Sequence, residues 1–222
     1  INQRIKTEDN LRESQLSLAN LVSNLPGLVY RCALDPDYTM EFISAACFHL
    51  TGYSPADFIS NRKIVFNDLI LPEYKEYLWN QWQKSFNEGT IFEEEYRIQT
   101  ASGEIKWVWE RGKCVCDDQN NLLYLEGYIE DISNRKKVEK ELKKLSLAIE
   151  QNPVSVMITN NEGIIEYCNP RFFEITGFDK QELLEQNPKI LKSGKMPDEF
   201  YAELWQTITS GKIWSGEVIN KN

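Results

Sequence analysis

The chain has 222 residues, with 34 acidic against 25 basic side chains and a net charge of −9. An acidic balance without a basic patch argues against nucleic acid as a partner, and no apolar run approaches the ~18 residues of a membrane span. No secretory signal is visible, and the five cysteines are scattered, odd in number and without C-x-x-C spacing, so they read as reduced thiols of a cytoplasmic protein.

Residues 4–24 place Leu11, Leu18, Val22 and Leu25 at helical or heptad spacing among charged residues, and Pro26-Gly27 stops that helix. Leu28–Leu34 reads as a strand, Asp35-Pro36-Asp37 as a turn and Met40–Ser44 as the returning strand of a hairpin. Ser54-Pro55-Ala56-Asp57 has the form of a helix start, with a capping Ser, Pro at the first helical position and an acid three residues on. Residues 73–88 form a longer amphipathic helix, and Ile91–Gln99, Glu104–Cys116 and Leu122–Asp131 are three strands joined by tight turns. Two strands, several helices and an antiparallel meander make an α+β domain with helices on one sheet face. The space between sheet and helices is the natural ligand cleft; the alternation is read as lining it with Tyr30, Phe42, Trp107 and Tyr128.

From Asp131 to Asn152 the chain reads as a charged linker helix. Val138, Leu142, Leu145 and Ile149 are spaced 4, 3 and 4, a coiled-coil seam of about two heptads. Ser133 is the expected N-cap, and Asp131 adds negative charge near the positive end of the helix dipole. The basic residues cluster at Arg135-Lys136-Lys137 and at Lys140, Lys143 and Lys144, alternating there with Glu139 and Glu141, as on a solvated face. A stiff spacer packing against its own domains is the plainer alternative to a paired seam.

The linker separates two copies of one pattern. Pro26 answers Pro153, and Phe42–Ile59 matches Tyr167–Leu184 without a gap, so that Thr51-Gly52-Tyr53 answers Thr176-Gly177-Phe178. Asp179-Lys180-Gln181-Glu182 repeats the helix start at Ser54, and Leu78, Trp82 and Phe86 answer Phe200, Leu204 and Ile208. Gly89–Phe92 answers Gly211–Trp214, and Asn222 answers Thr100, so the second copy is expected to stop before its last two strands. The expected organisation is an N-terminal signalling helix over 1–24, a first domain over 25–132, a linker helix over 133–150 and an incomplete second domain over 151–222.

The runs L-P-G-L-V-Y-R, L-T-G-Y-S, Y-R-I-Q-T-A-S-G-E-I-K-W-V-W-E-R-G and G-Y-I-E-D-I-S-N-R-K-K-V-E, with N-N-E-G-I-I-E-Y-C-N-P-R-F-F-E-I-T-G-F in the second copy, resemble the PAS sensor family. The D-I-S run looks like that family's Asp-Ile-Thr terminus, followed by a signalling helix, with Ser133 where Thr is usual. The resemblance implies two PAS domains, each with a five-stranded antiparallel sheet. It also implies a sensory and dimerisation role as input to a histidine kinase or diguanylate cyclase output domain in the same parent chain. A homodimer through the linker helices and PAS domains, and a small-molecule ligand, are the partners implied. Asp131, Ser133, Val138, Leu142, Leu145 and Ile149 would carry the relay.

The second copy is also similar to FAD-binding PAS domains of redox regulators, which leaves FAD open there, with Trp214, Asn220 and Asn169 as the residues at the flavin. The first copy has Phe92 and Ile98 where the second has Trp214 and Asn220. Asn187–Leu191 has no Cys, which excludes the light-driven flavin adduct on this resemblance, and the lone His49 is not where haem-binding relatives carry their ligand. A ligand-free dimerisation scaffold is the remaining alternative. There is no phosphate loop, no G-x-S-x-G and no H-E-x-x-H, and the carboxylates read as spread surface charge, so no catalytic residue is assigned.

Overall fold

The computed structural model describes residues 12, 13, 17, 20–22 and 24–221. Those described before residue 23 are helical; the rest of the helix expected over 4–24, Leu11 and Leu18 included, lies outside the described residues. The chain divides into two units, residues 1–138 and 139–222. Among the described residues no helix is long and apolar enough to cross a membrane.

In the first unit β1 (Leu28–Cys32), β2 (Met40–Ile43), β3 (Phe92–Gln99), β4 (Ile105–Cys116) and β5 (Leu122–Asp131) form one antiparallel sheet in the order β2-β1-β5-β4-β3. Asp35 closes the first hairpin by accepting from the N–H groups of Asp37 and Thr39 at 3.1 and 2.9 Å, an Asx turn that satisfies two backbone donors. Helices Cys47–Thr51, Pro55–Phe58, Phe66–Leu69 and Pro72–Glu88 follow β2. The Asp57 carboxylate accepts from the Ser54 N–H at 2.8 Å, the reciprocal contact expected at that helix start. Phe58, Phe66, Leu78 and Trp82 on the helices bury against Leu28, Tyr30, Tyr96, Val108, Leu125 and Ile129 on the sheet, each such burial contributing roughly 1.5–3 kcal/mol for an aliphatic or Phe side chain.

One glycine pair shapes this interior. Gly112 and Gly127 lie opposite each other on β4 and β5. A Cβ at Gly112 would stand 2.7 Å from the Trp82 ring, and one at Gly127 2.6 Å from the Tyr30 hydroxyl. Their bare backbone makes room for Trp82, which stacks on Phe92 at 4.0 Å, and for Tyr30 to reach across the sheet.

In the second unit β6 (Met157–Thr159) and β7 (Ile165–Cys168) pair antiparallel, followed by helices Pro170–Thr176 and Lys180–Leu183, a 3-10 turn Pro188–Leu191 and helix Asp198–Thr209. The repeat is visible atom by atom. Gly52 and Gly177 both take left-handed φ, 82° and 73°, to end equivalent helices, and the preceding Thr51 and Thr176 hydroxyls each donate to the carbonyl four residues back at 2.8 Å. Glu182 accepts from the Asp179 N–H at 2.9 Å, as Asp57 does from Ser54.

The copies part company at the end. Residues 213–221 answer β3, but they form only an isolated bridge between Lys192 and Asn220 rather than a third strand. The sheet order of the first unit gives the reason. There β3 bonds β4 alone, and β4 and β5 stand between it and the hairpin. Among the described residues of this unit no strand corresponds to β4 or β5 and the segment is paired only at that bridge, with Ile213 96% exposed. Helix Asp198–Thr209, whose counterpart packs on β3 and β4, accordingly buries no residue fully.

Candidate functional site

The first candidate is the passage from β5 into the helix Ser133–Glu150. Only Ile132 separates Asp131, the last residue of the strand, from the helix. Asp131 Oδ1 accepts from the Ser133 N–H at 2.9 Å, and its Oδ2 pairs with Lys106 Nζ on β4 at 3.2 Å. Lys106 also donates to the His49 carbonyl at 3.3 Å. Burial works to raise the Asp131 carboxyl, but the hydrogen bonds from Ser133 and the charge of Lys106 outweigh it and hold the group below its ordinary range. Ser133 is not the N-cap expected. It already lies within the helix, and its hydroxyl instead accepts from the Trp107 N–H at 3.0 Å, while the Ile132 N–H donates to the Trp107 carbonyl at 2.9 Å. Glu95 on β3 pairs with Arg135 and Lys136, and the Lys136 ammonium stands 5.4 Å from the Trp107 ring. The first helical turn is therefore held by β3 and β4 as well as by the strand it follows.

Beyond that turn the helix buries no residue. Val138, Leu142 and Leu145 are 58%, 61% and 61% exposed, and Ile149 is half-buried.

The second candidate lies in the interior. Leu28, Ile129, Glu110 and Glu94 form one cross-strand row, and Glu110 is buried. Its two carboxyl oxygens accept from the Tyr30 hydroxyl and, at 2.7 Å, from the Tyr96 hydroxyl. Burial pushes Glu110 from 4.5 up to about 7, although both hydrogen bonds pull the other way. Burial, then the neighbouring Glu110 charge, holds Tyr30 and Tyr96 well above the usual phenol value and also raises Cys32 and Tyr38. Tyr38 sits at φ 51° in the turn between β1 and β2, and its hydroxyl is buried without a hydrogen-bond partner among the described residues. These groups surround a cavity of about 10 Å³.

This corrects two sequence expectations. Of the four aromatics read as lining the interior, only Tyr30 does so. Phe42 pairs with Arg31, Tyr128 with Val29 and Trp107 with Arg97, all on the opposite face. Phe42 is 47% exposed there, beside an open concavity of about 690 Å³ that Arg31, Arg111 and Tyr128 help to line. The interior is filled instead by Tyr30, Tyr38, Trp82 and Tyr96. Nor are the carboxylates all surface charge. Glu110 lies two residues from buried Val108, and the period of a strand was the signal that could have found it.

In the second unit Asn169 is fully buried and fully used. Its carbonyl accepts from Val156 and Phe172 N–H at 2.9 and 3.1 Å, and its amide donates to the Val154 and Ile149 carbonyls at 2.9 and 3.1 Å. An Asn side chain has two donors and an oxygen with two lone pairs, so nothing is left for a ligand. Ser44, its counterpart, makes the equivalent bond to Val29 N–H at 3.0 Å. Trp214 packs edge-on against Phe200 at 5.3 Å, and Asn220 is exposed, bridged to Lys192.

A PAS fold family model matches residues 40–129, and a second PAS fold model matches residues 143–222. The chain belongs to the PAS family. It is similar to the nitrogen fixation regulatory protein of Klebsiella pneumoniae, 40% identical over 73 residues, 33% of this chain and 15% of that protein. It is also similar to the methyl sulfide methyltransferase-associated sensor of Methanosarcina acetivorans, 28% identical over 155 residues, 69% of this chain and 15% of that protein. The blue-light-activated histidine kinase of Brucella anthropi is 32% identical over 107 residues, 47% of this chain and 21% of that protein. The chain thus spans 15–21% of the length of these relatives.

Both halves are therefore PAS domains, the sensor modules of signalling proteins. The residues that resemblance would put at a flavin in the second PAS domain are Asn169, Trp214 and Asn220. Asn169 is consumed by the backbone, and Trp214 and Asn220 have separate partners. The cavity of about 300 Å³ in that domain is lined by others, among them Glu166, Tyr167, Cys168 and Phe173.

Proposed function

We propose that the chain is the sensory input and dimerisation module of a longer signalling protein. The state of the first PAS domain passes through β4 and β5 into the Ser133–Glu150 helix and on to an output domain of the kinase or cyclase class. The observation that carries this is the junction itself. The helix follows β5 after one residue, and Trp107 of β4 is bonded to both Ile132 and Ser133. A displacement of β4 must move the helix start or break those bonds. The exposed Val138, Leu142 and Leu145 then supply a face that a second copy would cover in a paired helix. At the far end Asn169 grips the Ile149 carbonyl, so motion of the helix reaches the second PAS domain through a hydrogen bond.

Leu142→Gln with Leu145→Gln in the full-length parent protein tests this. Output that no longer follows the stimulus supports the relay, and unchanged regulated output contradicts it. The filled interior of the first PAS domain favours a module that holds no organic molecule there. A flavin in the second PAS domain is a separate proposal.

A further inference from the structure

Glu110 is buried inside the first sheet, and among the described residues no cation lines its surroundings. From β1 it faces Tyr30 and Cys32, from β3 Tyr96 and the ladder neighbour Glu94, and from the turn after β1 Tyr38. The helices packed over it contribute Phe66 and Leu78 to the shared cavity, and the residue after the first of these helices contributes Ile70. A buried carboxylate without a cation is costly unless hydrogen bonds compensate or it takes up a proton.

Each protonation state has a place here. The ionised form accepts from Tyr30 and Tyr96, one on each oxygen. The neutral form must donate its own O–H, and the oxygen of either tyrosine can accept it once that hydroxyl turns away. The unpartnered Tyr38 hydroxyl and a space of about 10 Å³ adjoin the same group, room for about one water to complete either arrangement.

We propose that Glu110 is a proton-binding site within the first PAS domain and that its charge state is read out at the Trp107–Ser133 junction. This rests on the reading of the chain as a sensory module. One proton passes between bulk water and the carboxyl; no other bond changes and no electron is transferred. Ionisation draws both tyrosine hydroxyls onto β4 and so ties β1 and β3 to it. Protonation releases one of them. Tyr96 pairs with Val108, next to Trp107, and Arg97 beside it stands 5.6 Å from the Trp107 ring. The change therefore arises on the strand that carries the junction, at Glu110, close along β4 from Trp107.

The test is a pH titration of the protein labelled with ¹³C at the glutamate side-chain carboxyl. The Glu110 resonance is assigned by its loss in Glu110→Gln, or from through-bond spectra of the wild-type chain should that variant fail to fold. Backbone amide shifts of Trp107, Asp131 and Ser133 are followed in the same samples. One glutamate titrating near 7, with those amides moving at the same midpoint, is the expected result. All glutamates titrating near their ordinary value of about 4.3 would overturn the proton site and leave the sensory-module reading standing. A resonance titrating near 7 with the junction amides still would overturn the coupling. Failure of the relay itself shows separately, as loss of effect from the Leu142 and Leu145 substitutions.

Discussion

The Trp107 N–H donates to Ser133 Oγ at 3.0 Å, so strand β4 finishes its ladder on a residue of the next helix rather than on another strand. That bond spans 26 residues and fixes where the helix begins relative to the sheet.

Ser133→Ala removes the acceptor and leaves a half-buried N–H unpaired, a loss of about 1–3 kcal/mol. The Trp107 amide should then exchange with solvent faster than Val108, its neighbour in the β4–β5 ladder. Hydrogen exchange followed residue by residue checks it; unchanged protection at Trp107 would mean the hydroxyl is not its partner.

Asn169→Ala strips four bonds from a buried site and should destabilise the second PAS domain by about 2 kcal/mol or more. Asn169→Ser should cost less, because Ser44 shows that a hydroxyl suffices for the strand contact. It should still free the Ile149 carbonyl, which a serine in this place is too short to reach. Urea unfolding of the three proteins, with exchange at Val156 as the local readout, tests the order Asn, Ser, Ala.

Gly127→Ala places a methyl 2.6 Å from the Tyr30 hydroxyl and 2.8 Å from the Arg111 carbonyl. Overpacking of this kind costs about 1–3 kcal/mol, and here it also drives Tyr30 off Glu110. A lower thermal midpoint for the first unit is expected, with little change in the second. An unchanged midpoint would show that the strands open at no cost.

Glu110 also sets a direction for stability against pH. Its value rises on folding from 4.5 to about 7, so the folded form binds the proton more tightly than the unfolded chain. The contribution is therefore complete below pH 4.5 and is lost as pH rises through about 7, amounting to about 3 kcal/mol over the window. Asp131 works in the opposite sense. Its folded value is lowered, so its contribution holds at neutral pH and is lost as the solution turns strongly acid. Denaturant unfolding at several pH values should show stability falling as pH rises from 4.5 to about 7, and Glu110→Gln should flatten that slope. A flat wild-type profile would contradict the shift.

Much of the architecture was legible because its signals are local. The Thr-Gly turns at 51–52 and 176–177 need a left-handed residue, and Ser54 and Asp179 announce helix starts by the acid three residues on. The faces of β4 were harder. Trp107 and Trp109 are the conspicuous apolar residues, yet they lie on the outer face, where Trp109 meets Tyr128 edge-on and Trp107 meets Tyr74 from the long helix. On this strand size does not mark burial, and the charged Glu110 between Trp109 and Arg111 is the residue that turns inward. Its partners Tyr30 and Tyr96 come from 80 and 14 residues away, and only the assembled sheet brings them together. The same dependence on distant partners explains residues 213–221, which have the pattern of β3 but not its neighbour.

The exposed seam of the linker helix carries the greatest weight in this picture. Sedimentation equilibrium of the 222-residue chain, beside the Leu142→Gln, Leu145→Gln variant, addresses it directly. A concentration-dependent dimer that the two substitutions convert to monomer is the expected result. A chain that stays monomeric throughout, or a dimer indifferent to both substitutions, would contradict pairing through this helix.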